Sequence, residues 1–255
     1  MPQPPSPSPG APSRAVRVLI VTAVPAERDA VASGLGDAEP VPLPCGQAGY
    51  ALHRAHAVTG EGPLVADVLA AGVGPAAAAA GTATALTAAS AAGEPYDAVV
   101  SAGIAGGFGQ PPGGTVVATS IVAADLGAAT PAGFSSVAEL GFGTVEHRPP
   151  GQLVRAAAEA TGAAAGAVLT VSTVTGSAGR AAELTARHPD AAAEAMEGFG
   201  VAEAAAAHGV TVLELRTVSN PCGPRDRDSW RIDEALAALG GGCAALLPVL
   251  RAWKA

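Results

Sequence analysis

The chain is short of the residues that mark several large classes of protein. Its three cysteines, Cys45, Cys222 and Cys243, are odd in number and far apart in 255 residues. With no CxxC pair and no histidine cluster beside them, they exclude a disulfide framework and a zinc module of ordinary spacing. The five histidines (53, 56, 147, 188 and 208) likewise show no metal-ligand pattern. Charged residues make up only 14% of the chain and acids outnumber bases, for a net charge of -8. That balance excludes an electrostatic grip on a nucleic-acid backbone. Long apolar runs are missing too. Gly, Thr or Pro breaks each one before the ~18 residues of a membrane span. The N-terminal MPQPPSPSPGAPS has no apolar segment of the secretory kind, and its Pro and Ser content reads as a disordered tail over residues 1–14. A reduced, cytoplasmic protein without metal is the expectation.

What remains is 49% hydrophobic, enough for a sizeable core. A short β-branched run from Val16 to Val21 predicts the first strand. Pro25 then stands at the first position of a helix reaching Leu35. Further strands are expected over Leu52–Val58, Leu64–Ala71, Asp97–Ser101, Thr115–Ala123, Ala167–Thr173 and Thr211–Val218. Helices are expected from Pro75 to about Ala92, over Gly151–Ala160, Ala178–Arg187 and Glu194–His208, and from Ile232 onward, the last loosened by Gly240-Gly241-Gly242. Asp125–Pro150 is Gly-rich with little periodicity. Strands and helices alternate without a linker, so residues 15–255 read as one α/β domain with a central mixed sheet flanked by helices.

Two glycine-rich segments follow predicted strands. Gly72-Val73-Gly74 opens a helix, where backbone N–H groups can hold an anion, but neither a third fingerprint glycine nor a P-loop lysine follows. Gly103 to Gly109 holds four glycines in seven residues and suits a bare wall against a flat ligand. Glu27 falls in the first turn of the first helix, a place where carboxylates are favoured for electrostatic reasons alone. Glu197, between Met196 and Phe199, is expected to be buried and therefore to need partners. Placed on the helix before the Val210–Val218 strand, it shares a crevice with Asn220 at that strand's end. One carboxylate that accepts two hydroxyl protons and one amide that pairs with a heterocycle are the contacts of a bound nucleoside. Each feature alone also has an ordinary structural explanation. Asn-Pro starts turns, and Arg225, Asp226, Arg227 and Asp228 form a common kind of solvated loop.

In combination, TAVPAE (Thr22 to Glu27), GVGPAAAA (Gly72 to Ala79), GIAGGFG (Gly103 to Gly109), AMEG (Ala195 to Gly198) and RTVSN (Arg216 to Asn220) resemble the purine nucleoside phosphorylase/nucleosidase superfamily. They are most similar to its hydrolytic branch, the methylthioadenosine/S-adenosylhomocysteine nucleosidases, from about Val16 to Ala238. The resemblance implies a nucleoside phosphorylase-like α/β/α fold, hydrolysis of an N-ribosidic bond, no cofactor, and a homo-oligomer. It implies a small-molecule purine nucleoside as partner, with neither nucleic acid nor membrane. It further implies that Glu27 activates water, that Met196 and Glu197 hold the ribose, and that Ile104, Ala105 and Gly106 line base and sugar. Val174-Thr175 would run along the base.

The chain departs from the branch at Asn220, where methylthioadenosine nucleosidases place an aspartate as general acid. An amide cannot protonate N7, but it can donate to one acceptor and accept from one N–H, a pattern suited to a 6-oxo purine such as hypoxanthine. ADLGAATPAGF, ELGFG and SNPCGPRDRDSW are similar to members whose substrate carries an aromatic carboxylate beyond the 5′ carbon. Arg225, Arg227 or Arg231 is then a candidate partner for that carboxylate, with Trp230 and Ile232 along the ring. An adenine-releasing nucleosidase, a phosphorylase and a non-catalytic purine-binding protein stay open at this point.

Overall fold

The computed structural model describes residues 14–43, 49–60, 62–131 and 133–253; residues 1–13 of the tail and Cys45 lie outside the described residues. In chain order the elements are β1 (Val16–Thr22), α1 (Pro25–Leu35), β2 (Ala38–Pro42), β3 (Ala51–Thr59), β4 (Gly62–Ala70), α2 (Pro75–Ala91), β5 (Ala98–Gly107) and β6 (Thr115–Ala123). There follow β7 (Gly127–Thr130), β8 (Gly133–Ser136), β9 (Glu146–His147), α3 (Gly151–Thr161), β10 (Ala164–Thr170), α4 (Ala178–Arg187), β11 (Ala191–Ala195), α5 (Gly198–Ala207), β12 (Thr211–Pro221) and α6 (Ile232–Trp253).

One mixed sheet runs β11-β10-β6-β12-β5-β1-β4-β3-β2, with β9 on the edge of β6. The sheet curls until β11 meets β5 antiparallel, so β5, β12, β6, β10 and β11 close into a ring. Helices cover both faces, which is why β1 is buried along its whole length rather than on alternate residues. Its side chains divide by parity. Val18 and Ile20 join the core under α1, α3 and α6 with Leu215 and Leu239, whereas Leu19 and Val21 join the core under α2 and α5 with Ala78 and Val201.

Four expectations need correction. The alanine-rich stretch read as a helix from Glu194 begins instead as β11, and the helix starts only at Gly198. Alanine favours helix locally, but pairing with β10 and β5 outweighs that preference. Met196-Glu197 therefore sits in the strand-to-helix turn, not on a helix. The glycines from Gly103 to Gly107 continue β5 rather than forming a turn. The segment 125–150 contains the β7–β8 hairpin and β9. Finally, Gly240 does not loosen α6. It lets the helix approach α1 so closely that a Cβ on Gly34 would lie 2.7 Å from the Gly240 Cα. By length and hydropathy α6 alone among the described helices is apolar enough to cross a membrane, yet Leu239, Cys243, Leu246 and Leu250 are spent on the core.

Candidate active site

The carboxyl ends of β1, β5 and β12 converge with the β11–α5 turn. At the end of β1, Glu27 folds back over the start of α1. Its Oε2 accepts from the N–H of Ala23 at 2.9 Å and of Val24 at 3.4 Å, while Oε1 accepts from the Ile104 N–H at 2.9 Å. The carboxylate thus caps its own helix and is tied to β5 at the same time. It is 4% exposed.

Glu197 is 6% exposed and reaches the glycine turn from the other side. Its Oε1 accepts from the Gly74 N–H at 3.2 Å, and Oε2 faces Arg216 Nη1 at 3.2 Å. Gly74 has φ +93°, a conformation that L side chains rarely adopt, and Pro75 follows at the first turn of α2. The GVGP motif therefore aims a backbone donor at Glu197.

Arg216 is the residue that sequence reasoning missed. Almost fully buried, it donates from Nε to Glu214 at 2.8 Å, from Nη1 to Glu197 and from Nη2 to Ser101 Oγ at 3.0 Å. Burial works against its charge, but Glu214, Glu197 and Glu27 outweigh that effect and hold the guanidinium above its ordinary range. A Cβ on Gly103 would lie 2.6 Å from Arg216 Nη1 and 2.7 Å from Glu27 Oε1. Glycine at this point lets the arginine and the carboxylate flank β5 together. Glu214, also missed, is fully buried, and its Oε2 has no hydrogen-bond partner. Burial pushes this carboxyl up, and the pull of Arg216 in the other direction does not cancel the shift.

A cavity lies at the carboxyl ends of β5 and β12, lined by Gly106, Val174, Thr175, Asn220, Arg225 and Trp230 among others; Glu27, Glu197, Met196, Ile104 and Ala105 do not line it. The Asn220 amide is fixed by two bonds: Oδ1 accepts from Ser219 Oγ at 2.8 Å, and Nδ2 donates to the Pro221 carbonyl at 2.9 Å. Thr175 does not offer its backbone N–H to the cavity. That N–H and the hydroxyl both donate to Glu194, at 2.8 and 2.5 Å. Cys222 lies on the same wall, its thiol pushed up to about 12 by burial and by the charge of Glu194.

The remaining expected residues divide. Ala105 is buried and its carbonyl accepts from Ser219 Oγ at 3.3 Å. The Met196 N–H donates to Glu197 at 3.3 Å. Arg225 lies over the Trp230 ring at 5.4 Å and Arg227 over it at 6.0 Å, but only Arg225 of the two lines the cavity. Arg231 turns to Glu234, 3.8 Å away, and Ile232 is 40% exposed at the start of α6; neither lines the cavity.

A buried ring of carboxylates around one arginine, next to an amide-lined slot, fits a protein that binds nucleosides. The chain belongs to the phosphorylase superfamily, whose family model matches residues 17–248. Its relatives include the futalosine hydrolase of Streptomyces coelicolor, 62% identical over 242 residues that span 94% of this chain and 98% of that protein. The futalosine hydrolase of Acidothermus cellulolyticus is 46% identical over 91% of this chain and 90% of its own length. Among solved structures, a methylthioadenosine/S-adenosylhomocysteine nucleosidase from Colwellia psychrerythraea, in complex with adenine, matches with a TM-score of 0.72 at 22% identity. That match covers 94% of this chain and 96% of the other. The futalosine hydrolase of Helicobacter pylori matches with a TM-score of 0.70 at 20% identity, over 92% and 97%. These likenesses bear out the expected fold.

Proposed function

We propose that this chain hydrolyses the N-ribosidic bond of futalosine, releasing hypoxanthine and leaving dehypoxanthine futalosine, a step in menaquinone biosynthesis. The observation that carries the reading is an amide, Asn220, on the cavity wall beside Gly106 of β5, the strand whose Ile104 N–H is bound by Glu27. The 62% identical relative from Streptomyces coelicolor supports it. The enzyme uses no cofactor, acts in the cytoplasm and forms a homo-oligomer. Exposed Phe142, Leu126 and Leu140 in the segment after β6 favour a second copy as partner.

The C1′–N9 bond lengthens first, giving an oxocarbenium-like ribose and negative charge on the departing purine. Asn220 retains one N–H beyond its bond to Pro221 and directs it to O6 or N7, where the charge collects; the purine leaves as its anion and takes up its proton from solvent, to which Glu27 later returns the proton of the attacking water. Glu197 holds the ribose hydroxyls, and its attraction for the ring rises as the ring becomes positive. Glu27, whose Oε1 keeps a lone pair beyond its bond from the Ile104 N–H, takes a proton from the water that attacks C1′. Gly106, Val174 and Thr175 shape the slot, with Met196, Ile104 and Ala105 on its ribose side. Arg225, the one of the three candidate arginines that lines it, meets the carboxylate of the substrate tail, with Trp230 along the aromatic ring. Arg227 and Arg231 are the weaker candidates.

A phosphorylase reading is disfavoured because Arg216 already satisfies two carboxylates and a serine. The Gly74 N–H donates to Glu197, and the glycine turn offers no other cation for phosphate. The deciding assay incubates purified protein with futalosine in phosphate-free buffer. Hypoxanthine release without phosphate is expected. A phosphate requirement with a sugar 1-phosphate product, or binding without turnover, would refute the reading.

A further inference from the structure

Glu194 has no part in the chemistry described so far, yet its setting is unusual. It is 5% exposed and lines the base cavity. Among the described residues no cationic side chain lies within ion-pair distance of it. Its hydrogen bonds there are the two from Thr175 and one from the Cys222 thiol. A carboxylate has about four acceptor positions, so one is left for a ligand. Holding the Thr175 turn requires only neutral acceptors, whereas a buried charge costs several kcal/mol unless something compensates it.

The sheet register sets where that capacity points. On β5, Gly106 is paired on one side with Asn220 of β12 and on the other with Glu194 of β11. Residues directly opposed across a ladder present their side chains to the same face. Amide and carboxylate therefore flank one bare glycine, and among the described residues Glu194 is the only carboxylate lining the cavity. A Cβ at Gly106 would stand in van der Waals contact with Cys222 at 3.6 Å and Asn220 Nδ2 at 3.7 Å, so the glycine leaves that stretch of cavity wall bare.

We infer that Glu194 is a specificity-determining residue that accepts a hydrogen bond from N1–H of a 6-oxopurine. Asn220 gives a donor to O6 or N7, and Glu194 gives an acceptor to N1. In a 6-aminopurine N1 has a lone pair and no proton, so the same carboxylate repels it. The inference rests on the proposed purine substrate and deepens it, since selection for the 6-oxo base comes from two strands rather than from Asn220 alone.

The test measures binding of free bases to the full chain by titration calorimetry, which does not depend on turnover. Wild type should bind hypoxanthine at least about tenfold more tightly than adenine or 1-methylhypoxanthine, the scale of one hydrogen bond to a charged group. In Glu194→Gln the amide can also donate to N1 of adenine, so the preference for hypoxanthine over adenine should fall at least about tenfold. If Glu194 only pins the Thr175 turn, the variant weakens all three bases in proportion and the ratios stay fixed, which overturns the inference. A wild-type protein indifferent to N1 methylation overturns it without any variant. Selective hypoxanthine binding without futalosine turnover would instead leave this inference standing and remove the proposed reaction.

Discussion

Two buried ion clusters stand at opposite ends of the sheet, and they are built on inverse stoichiometry. Near the amino ends of β1 and β5, one carboxylate, Asp67, is surrounded by donors. Arg54 reaches both its oxygens at 2.7 and 2.9 Å, Arg17 bonds Oδ2 at 2.9 Å and the Tyr96 hydroxyl does so at 2.6 Å. Despite complete burial, these donors hold Asp67 below the usual carboxylate range. At the carboxyl ends, one arginine, Arg216, is surrounded by Glu27, Glu197 and Glu214, and one carboxylate oxygen stays unpartnered. The first cluster is saturated and suits a scaffold. The second carries surplus negative charge in a dry place, which costs stability unless a ligand uses it. A ribose that turns cationic during bond cleavage is such a ligand.

Substitutions at the two ends should separate these roles. The largest expected effect is Glu27→Gln, which removes the proposed proton acceptor and should lower kcat by about 10²–10⁴-fold. Its unfolding midpoint should shift little, since the amide oxygen can still accept from backbone N–H groups. Steady-state rates beside a denaturation curve decide this; a variant with wild-type kcat would remove Glu27 from the reaction. Asp67→Asn should do the converse. It takes the carboxylate from Arg54 and leaves Arg17 paired with Glu94, and should cost about 3–5 kcal/mol in urea denaturation, the range for breaking a buried pair. Its kcat/KM should stay near wild type wherever the variant is folded. A large loss of rate without loss of stability would mean that the two ends are not separate.

The smallest effect is the most discriminating, because the clusters should respond to pH with opposite sign. Asp67 is lowered from 3.8, so its contribution is present above that value and is lost as pH falls through the still lower folded value. Glu214 is raised from 4.5, so the folded state binds its proton more tightly than the unfolded chain does. Its contribution is full below 4.5 and declines as pH rises through the folded value. Glu214→Gln should flatten the decline in stability on the neutral side and leave the acid limb alone, as urea midpoints across pH would show. An unchanged neutral limb would mean that Glu214 titrates in the fold as it does in the unfolded chain.

The contrast also explains what was legible in the sequence. Glu27 and Asn220 stand out because each interrupts a recognisable local signal, a helix start after Pro25 and an Asn-Pro turn. Glu197 stands out beside Met196, although the element carrying it was misread. Arg216 and Glu214 were passed over because they sit inside a strand that reads as an apolar run, and Glu194 because it stands at the head of an expected helix. A signal was there. In LELRTVS, Glu214 and Arg216 alternate with leucines on a strand buried on both faces, and opposite charges two residues apart in such a strand must find partners. The β11 strand was hidden for another reason. Its composition, AAAEA, favours helix, and only its distant pairings, with β10 and with residues 106–107 of β5 at the ring closure, make it extended.

That closure has an evolutionary consequence. Because β5 holds β11 and β12 at a fixed spacing, the side chains at 194 and 220 belong to one rigid frame rather than to two wandering loops. On the proposed reading of Glu194 and Asn220, a lineage can exchange one base for another by point substitution at either position. No loop need be rebuilt, and the distant groups proposed to cleave the bond keep their places.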